Sequence, residues 1–167
     1  TISFMVAVGI GSATAVRVGI AYGRGDVRDV VLAAWTGLGL SMIANVLIGI
    51  GIILFASSIT GAFTHDAAVL AMAMPLIFWV AIALVTDGGQ AVIANALRGR
   101  QDVWVACVIQ AVAFLGVMVP LTWFLAFPAG NGAAGLFQGV LIGATVSIFM
   151  LGWRLHHLYV RDTRAPS

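Results

Sequence analysis

Five apolar runs of about 20 residues or more, separated by short polar turns, leave this chain few ways to fold. A run of that length spans the ~30 Å hydrocarbon core of a bilayer as an α-helix, because a helix pairs its own backbone polar groups where no water can. The runs fall at about 1–20, 30–57, 68–97, 103–126 and 134–153 of the 167 residues. The expected fold is therefore all-α: a polytopic membrane bundle of five transmembrane helices over residues 1–157, with a cytoplasmic tail over 158–167. Composition agrees. Hydrophobic residues make up 62% and charged residues 8%, against about 25% charged in soluble domains, which leaves no room for a separate soluble unit.

All eight basic residues are Arg and all six acidic ones are Asp. Chemistry that needs a catalytic Lys or a Glu base is excluded, and no enzyme activity is expected. A net charge of +2, scattered over loops, makes no stripe for nucleic acid. Cys107 is alone, so no disulfide forms within the chain. Thr1 already lies in an apolar run with no initiator Met, and the chain reads as a fragment of a longer protein.

Arg residues set the orientation, since short cytoplasmic loops retain positive charge. Arg17, Arg24 and Arg28 flank the first turn, Arg98 and Arg100 the third, and Arg154, Arg161 and Arg164 the tail, while the second and fourth connections carry none. A five-span zigzag then starts outside and ends with its C-terminus in the cytoplasm. The turns Gly23-Arg24-Gly25-Asp26-Val27 and Gly99-Arg100-Gln101-Asp102-Val103 echo one another, each placing Asp at the positive end of the following helix. Gly135, Gly139 and Gly143, and Gly19 with Gly23, recur every four residues; small residues at that spacing let helices pack closely, chiefly within one molecule.

Asp87 is the one acid inside an apolar run. It lies 11 residues, or about 16 Å of helix, before Arg98, near the middle of the hydrocarbon core, where a carboxylate costs at least ~2.5 kcal/mol. Such a residue is expected to face a cavity and bind or relay an ion; a structural Asp that stays protonated and hydrogen-bonds across helices is the alternative. Gly88 and Gly89 weaken the helix just after it, and an opened turn there would offer carbonyls to a cation. Thr86, Gln90, Asn45 and Gln110 are candidate supporting residues of the same cavity, although for Asn45 and Gln110 an interhelical hydrogen bond serves equally well. Pro75 and Pro120 are expected to kink their helices.

Other literal matches carry no chemistry. Gly23-Arg24-Gly25-Asp26 spells the G-x-G-D of intramembrane aspartyl proteases but sits in an Arg-flanked turn without a second acid at its level. His65 with Asp66, and His156 with His157, lack the spacing and further ligands of a metal site. On these residues no cofactor is expected, and no metal site beyond an ion at Asp87.

Together these features resemble the multidrug and toxic compound extrusion (MATE) transporters, and within them the NorM-like branch. Ala15-Val16-Arg17-Val18-Gly19 with the following Tyr22–Asp26 turn is similar to the eighth helix of those twelve-helix proteins. The run with Asp87, Gln90 and Ala96-Leu97-Arg98-Gly99 is similar to the tenth, and Gly132–Gly139 with its closing helix to the twelfth. The resemblance implies a fragment of a two-lobe transporter: a C-terminal lobe that works with a missing N-terminal lobe in the bacterial inner membrane. It further implies cation-coupled antiport of small amphiphilic, often cationic compounds, with the coupling ion at Asp87. Ala83 stands where some NorM-like members have Tyr, which leaves Na⁺ and H⁺ both open. A lipid-linked sugar flippase of related architecture, for which Arg17 is the one cavity cation, and a non-transporting membrane scaffold are the rival readings.

Overall fold

A computed structural model describes residues 2–63, 67–127 and 132–164. The helices are α1 (Ile2–Gly23), α2 (Val27–Leu54), α3 (Ala56–Phe63), α4 (Ala67–Gly99), α5 (Val103–Ala111), α6 (Val119–Ala126) and α7 (Gly132–Arg164), with a π-helical stretch Val112–Met118 joining α5 to α6. Five segments are long and apolar enough to cross a membrane: Ser3–Gly23, Val27–Leu54, Leu76–Gly99, Val103–Ala126 and Ala134–Thr163. The chain is an integral membrane helix bundle.

Helix α4 is its centre, packed on α1, α2 and α7. The helices that embrace it do so through small residues. On α1 the buried positions are Ser3, Ala7, Gly11, Thr14, Val18 and Ala21, spaced by three or four as one helical face demands. At Gly99 a Cβ would run into the backbone of Ala15, and at Gly37 into the side chain of Thr14, so these glycines set how near α1 lies to α4 and α2. Gly19 approaches Gly99 as well, but a Cβ on Gly23, the last residue of α1, would meet nothing within 4 Å. The ladder of Gly135, Gly139 and Gly143 packs within the molecule: Cβ atoms there would strike Leu125, Thr122 and Met118.

The two echoing turns are alike in structure. In the first, the amides of Arg24, Gly25 and Asp26 bond to the carbonyls of Ile20, Tyr22 and Ala21; in the second, those of Arg100, Gln101 and Asp102 bond to Ala96, Arg98 and Leu97. Both put one residue in the left-handed region, Gly25 at φ 73° and Gln101 at φ 68°, as this helix-ending motif requires. Asp26 then caps α2 by accepting from the Asp29 amide at 3.0 Å, which starts that helix at Val27 rather than near residue 30.

Three expectations about helices are corrected. Helix α2 ends at Leu54 and a separate short helix, α3, follows from Ala56. Helix α7 does not stop near residue 153 but continues to Arg164, because Leu151, Leu155 and Leu158 keep a buried apolar stripe going past the last apolar run. The opened turn after Asp87 is absent: α4 is helical through Pro75, Gly88 and Gly89. Pro120, which has no amide hydrogen to give, is preceded by the π stretch, where Val119 donates to Phe114 five residues back. The connections at 64–66, with His65 and Asp66, and at 128–131 lie outside the described residues.

Candidate functional site

The polar residues of the bundle interior converge on the middle of α4. Asp87 is exposed on this chain, whereas Gly88, Gly89 and Gln90 immediately after it are buried. Gln90, one turn on, donates from Nε2 to Asp87 Oδ1 at 3.2 Å, and its own Oε1 is buried with no partner. A buried amide oxygen left unpaired costs about 1–3 kcal/mol, so this is an acceptor waiting for a donor or a cation.

Behind Asp87 runs a seam that ties α4 to α2 and α1. Ser41 Oγ donates to the Gly88 carbonyl at 3.3 Å. Asn45, one turn further along α2, donates from Nδ2 to the Ser41 carbonyl at 2.9 Å and lies 3.3 Å from Ser41 Oγ. Asn45 Oδ1 in turn accepts from Ser3 Oγ at 2.7 Å. Ser41 and Asn45 are fully buried. Gly88 lacks a Cβ where Asn45 sits, and Gly89 lacks one where Ile148, Leu38 and Met42 converge. The glycine pair therefore serves close packing.

Of the residues expected at this site, the structure brings Gln90 to Asp87 and Asn45 to the neighbouring Gly88. Thr86 is adjacent in sequence, but its hydroxyl donates back to the Ala83 carbonyl at 2.9 Å. Gln110 is elsewhere: its Oε1 accepts from Arg98 Nη2 at 3.5 Å, 11 residues along α4 from Asp87. Ser3 and Ser41 were not anticipated. The one sequence signal was that Ser41 and Asn45 stand four apart in an apolar run, on one helix face.

A second polar cluster closes the end of the bundle where both turns meet α7. Arg100 is 5% exposed, pairs with Asp162 and lies 5.5 Å over the Tyr22 ring. Arg154 donates to Asp102 from Nε at 2.8 Å and from Nη2 at 3.3 Å, so Asp102 is spent on α7 and makes no cap for α5. Arg24 pairs with Asp29 at 2.7 Å, and Arg17 reaches the same carboxylate at 3.6 Å. These contacts gather the Arg-bearing turns and the end of α7 on one side. Among the described residues, no group of three or more His, Cys, Asp or Glu could hold a metal ion.

Comparison with known proteins agrees with this architecture. The family model MatE matches residues 1–124. The probable multidrug resistance protein NorM of Caulobacter vibrioides is 34% identical over 164 residues, covering 98% of this chain and 35% of that protein. The protein of the same name from Rhizobium meliloti is 32% identical over 180 residues, covering 100% and 37%. The crystal structure of the eukaryotic MATE transporter AtDTX14 superposes with a TM-score of 0.77 at 19% identity, over 93% of this chain and 36% of that one. The chain thus spans about a third of the length of the curated relatives it matches.

Proposed function

The chain belongs to the MatE family, and from that premise we propose that it forms the C-terminal lobe of a multidrug efflux transporter, a cation-coupled antiporter that moves amphiphilic or cationic compounds across the bacterial inner membrane. The reading rests on Asp87, the one carboxylate inside an apolar run, standing exposed on α4 beside the buried amide of Gln90. Its partners are the bilayer and an N-terminal lobe of the same protein. Alternating access needs that second bundle to move against this one, so residues 1–167 alone do not transport. The positive-charge bias supports a cytoplasmic side for both Arg-bearing turns and the end of α7.

The residues present fit a small cation. A proton needs only the carboxylate; Na⁺ also wants neutral oxygens, and Gln90 Oε1 is a buried amide oxygen without a partner. The seam of Ser41, Asn45 and Ser3 holds the next residue, Gly88, against α2 and α1. An uncompensated carboxylate is costly at this depth, and a cation that neutralises it removes the cost. Occupancy of Asp87 then shifts the balance between two packings of the lobes, by as much as the cation's affinity differs between them.

A sugar flippase would want guanidinium groups in the cavity, and the one candidate, Arg17, is drawn to Asp29 at the bundle end. The deciding experiment is gradient-driven export by the full-length protein carrying Asp87→Asn, which keeps shape and hydrogen bonding but cannot titrate. Loss of export at normal expression supports the coupling role. Unchanged export with unchanged dependence on Na⁺ and pH makes Asp87 structural.

A further inference from the structure

At the end of the bundle where the α1–α2 turn, the α4–α5 turn and α7 meet, a cavity of about 280 Å³ is lined by Tyr22, Arg100, Gln101, Asp102, Arg154 and Arg161. Three guanidiniums against the one carboxylate of Asp102 give this lining a formal charge of +2; counting Asp162 on the adjoining side leaves the cluster at +1. Each guanidinium carries five N–H donors. Among the described residues these three donate to only two carboxylates: Arg154 to Asp102, and Arg100 and Arg161 to Asp162. Arg161 is the least committed, with a 3.4 Å contact and a side chain 65% exposed.

The cavity's depth says what it meets. Asp102 immediately precedes the apolar run Val103–Ala126, and Arg154 pairs with it, so both stand at the margin of the hydrocarbon. Trp104 and Trp153, next to this pair in the helices, are 85% and 76% exposed. Exposed Trp at the margins of apolar runs, Trp104 at the start of 103–126 and Trp153 at the end of 134–153, marks the headgroup level, and basic pockets between membrane helices at that level suit acidic lipid headgroups. We propose that this cavity binds a phosphate group, supplied by the headgroup of an anionic phospholipid in the surrounding leaflet. Bound there, the phosphate accepts from Arg161 and Arg154 and ties the end of α7 to the α4–α5 turn. Free phosphate offers the same oxygens but has no acyl chains to anchor it in the leaflet. The proposal is independent of the reading of Asp87.

The test reconstitutes the full-length protein in phosphatidylcholine vesicles with or without phosphatidylglycerol and measures retained lipid by native mass spectrometry after extraction. Wild type should retain phosphatidylglycerol over phosphatidylcholine. Arg161→Gln should lose about five-fold of that preference, the weight of one guanidinium near an anionic surface. Arg28→Gln removes the same charge from an exposed position at the same end, outside the cavity, and should retain it. A parallel arm adds inorganic phosphate to protein in pure phosphatidylcholine and follows thermal unfolding. Stabilisation by phosphate that Arg161→Gln abolishes, without any phosphatidylglycerol preference, overturns the lipid as the source. Equal retention by wild type, Arg161→Gln and Arg28→Gln overturns the site itself.

Discussion

The side-chain amide of Asn45 on α2 fills the space that a Cβ on Gly88 of α4 would need: Cγ of Asn45 would lie 2.9 Å from it and Ser41 Oγ 3.3 Å. Neither neighbour is the free end of a flexible side chain, since Asn45 is held by Ser3 and by the Ser41 carbonyl. Gly88→Ala should therefore cost about 1–3 kcal/mol, the usual range for overpacking, read as a lower unfolding temperature in detergent. Gly9, with nothing within 4 Å of its would-be Cβ, is the control; Gly9→Ala should be neutral or stabilise by up to about 1 kcal/mol. Adding Asn45→Ala to Gly88→Ala should recover much of the loss, and strict additivity would show that the two side chains do not compete for space.

The paired turns make a second test. Gln101 holds a left-handed backbone, φ 68°, at the position where the first turn has Gly25, φ 73°. A side chain there costs about 1 kcal/mol that glycine avoids. Gln101→Gly should stabilise the protein by up to about that amount, and Gly25→Ala should destabilise it similarly. Thermal unfolding of both variants checks the pair, and a destabilising Gln101→Gly would mean that its side chain contributes more than the strain it brings.

What could be read in advance follows from how each feature is encoded. The five membrane spans are written in runs of side chains that only lipid or another helix can solvate, so length and hydropathy sufficed. Asp87 stood out because a carboxylate at that depth is costly enough to need a reason. The last turns of α7 were hidden because Arg154, His156 and His157 dominate the local composition while Leu151, Leu155 and Leu158, on one face, do the packing. The seam from Ser3 to Gly88 was hidden for another reason. Serine in an apolar helix is common, and only the crossing of α1, α2 and α4 decides which serines meet. Gln110 looked like a partner of Asp87 because intramembrane amides are few, yet it sits close enough to the bundle end for Arg98 to reach it.

The ion pair between Arg154 and Asp102 binds α7 to the start of α5 with two hydrogen bonds. Its side chains are 29% and 20% exposed, so solvent screens it in part, and Arg154→Ala or Asp102→Ala should each cost about 1 kcal/mol. The charge-swapped double variant, Arg154→Asp with Asp102→Arg, should recover most of the loss that either reversal causes alone. Equal instability of the swap and the single reversals would show that orientation matters more than charge.

Orientation in the membrane is tested by single cysteines placed one at a time in a Cys107→Ser background, which removes the chain's one exposed thiol. Positions in the 64–66 and 128–131 connections should label with a membrane-impermeant maleimide added outside intact cells. A cysteine at Gln101, on the Arg-bearing side, should label only after the membrane is opened. Labelling of position 101 from outside would invert the topology.

The sharpest division of labour lies between Asp87 and Gln90. Asp87→Asn removes the one carboxylate inside the apolar runs, so in the full-length transporter it should abolish coupled export while leaving expression near wild type. Gln90→Ala leaves that charge in place. It removes the 3.2 Å donor to the carboxylate and the unpartnered buried oxygen, a net interaction of about 1 kcal/mol, so apparent cation affinity should fall about five-fold with the maximal rate retained. The two cations then separate. If Na⁺ is coupled, Gln90→Ala should raise the Na⁺ concentration needed for half-maximal export at fixed pH, because a neutral oxygen ligand has gone. If H⁺ alone is coupled, export should be insensitive to Na⁺ in wild type and variant alike, and the change should show only in the pH profile. A Gln90→Ala protein that loses export as completely as Asp87→Asn would mean that the amide is essential to the site rather than an auxiliary to the carboxylate.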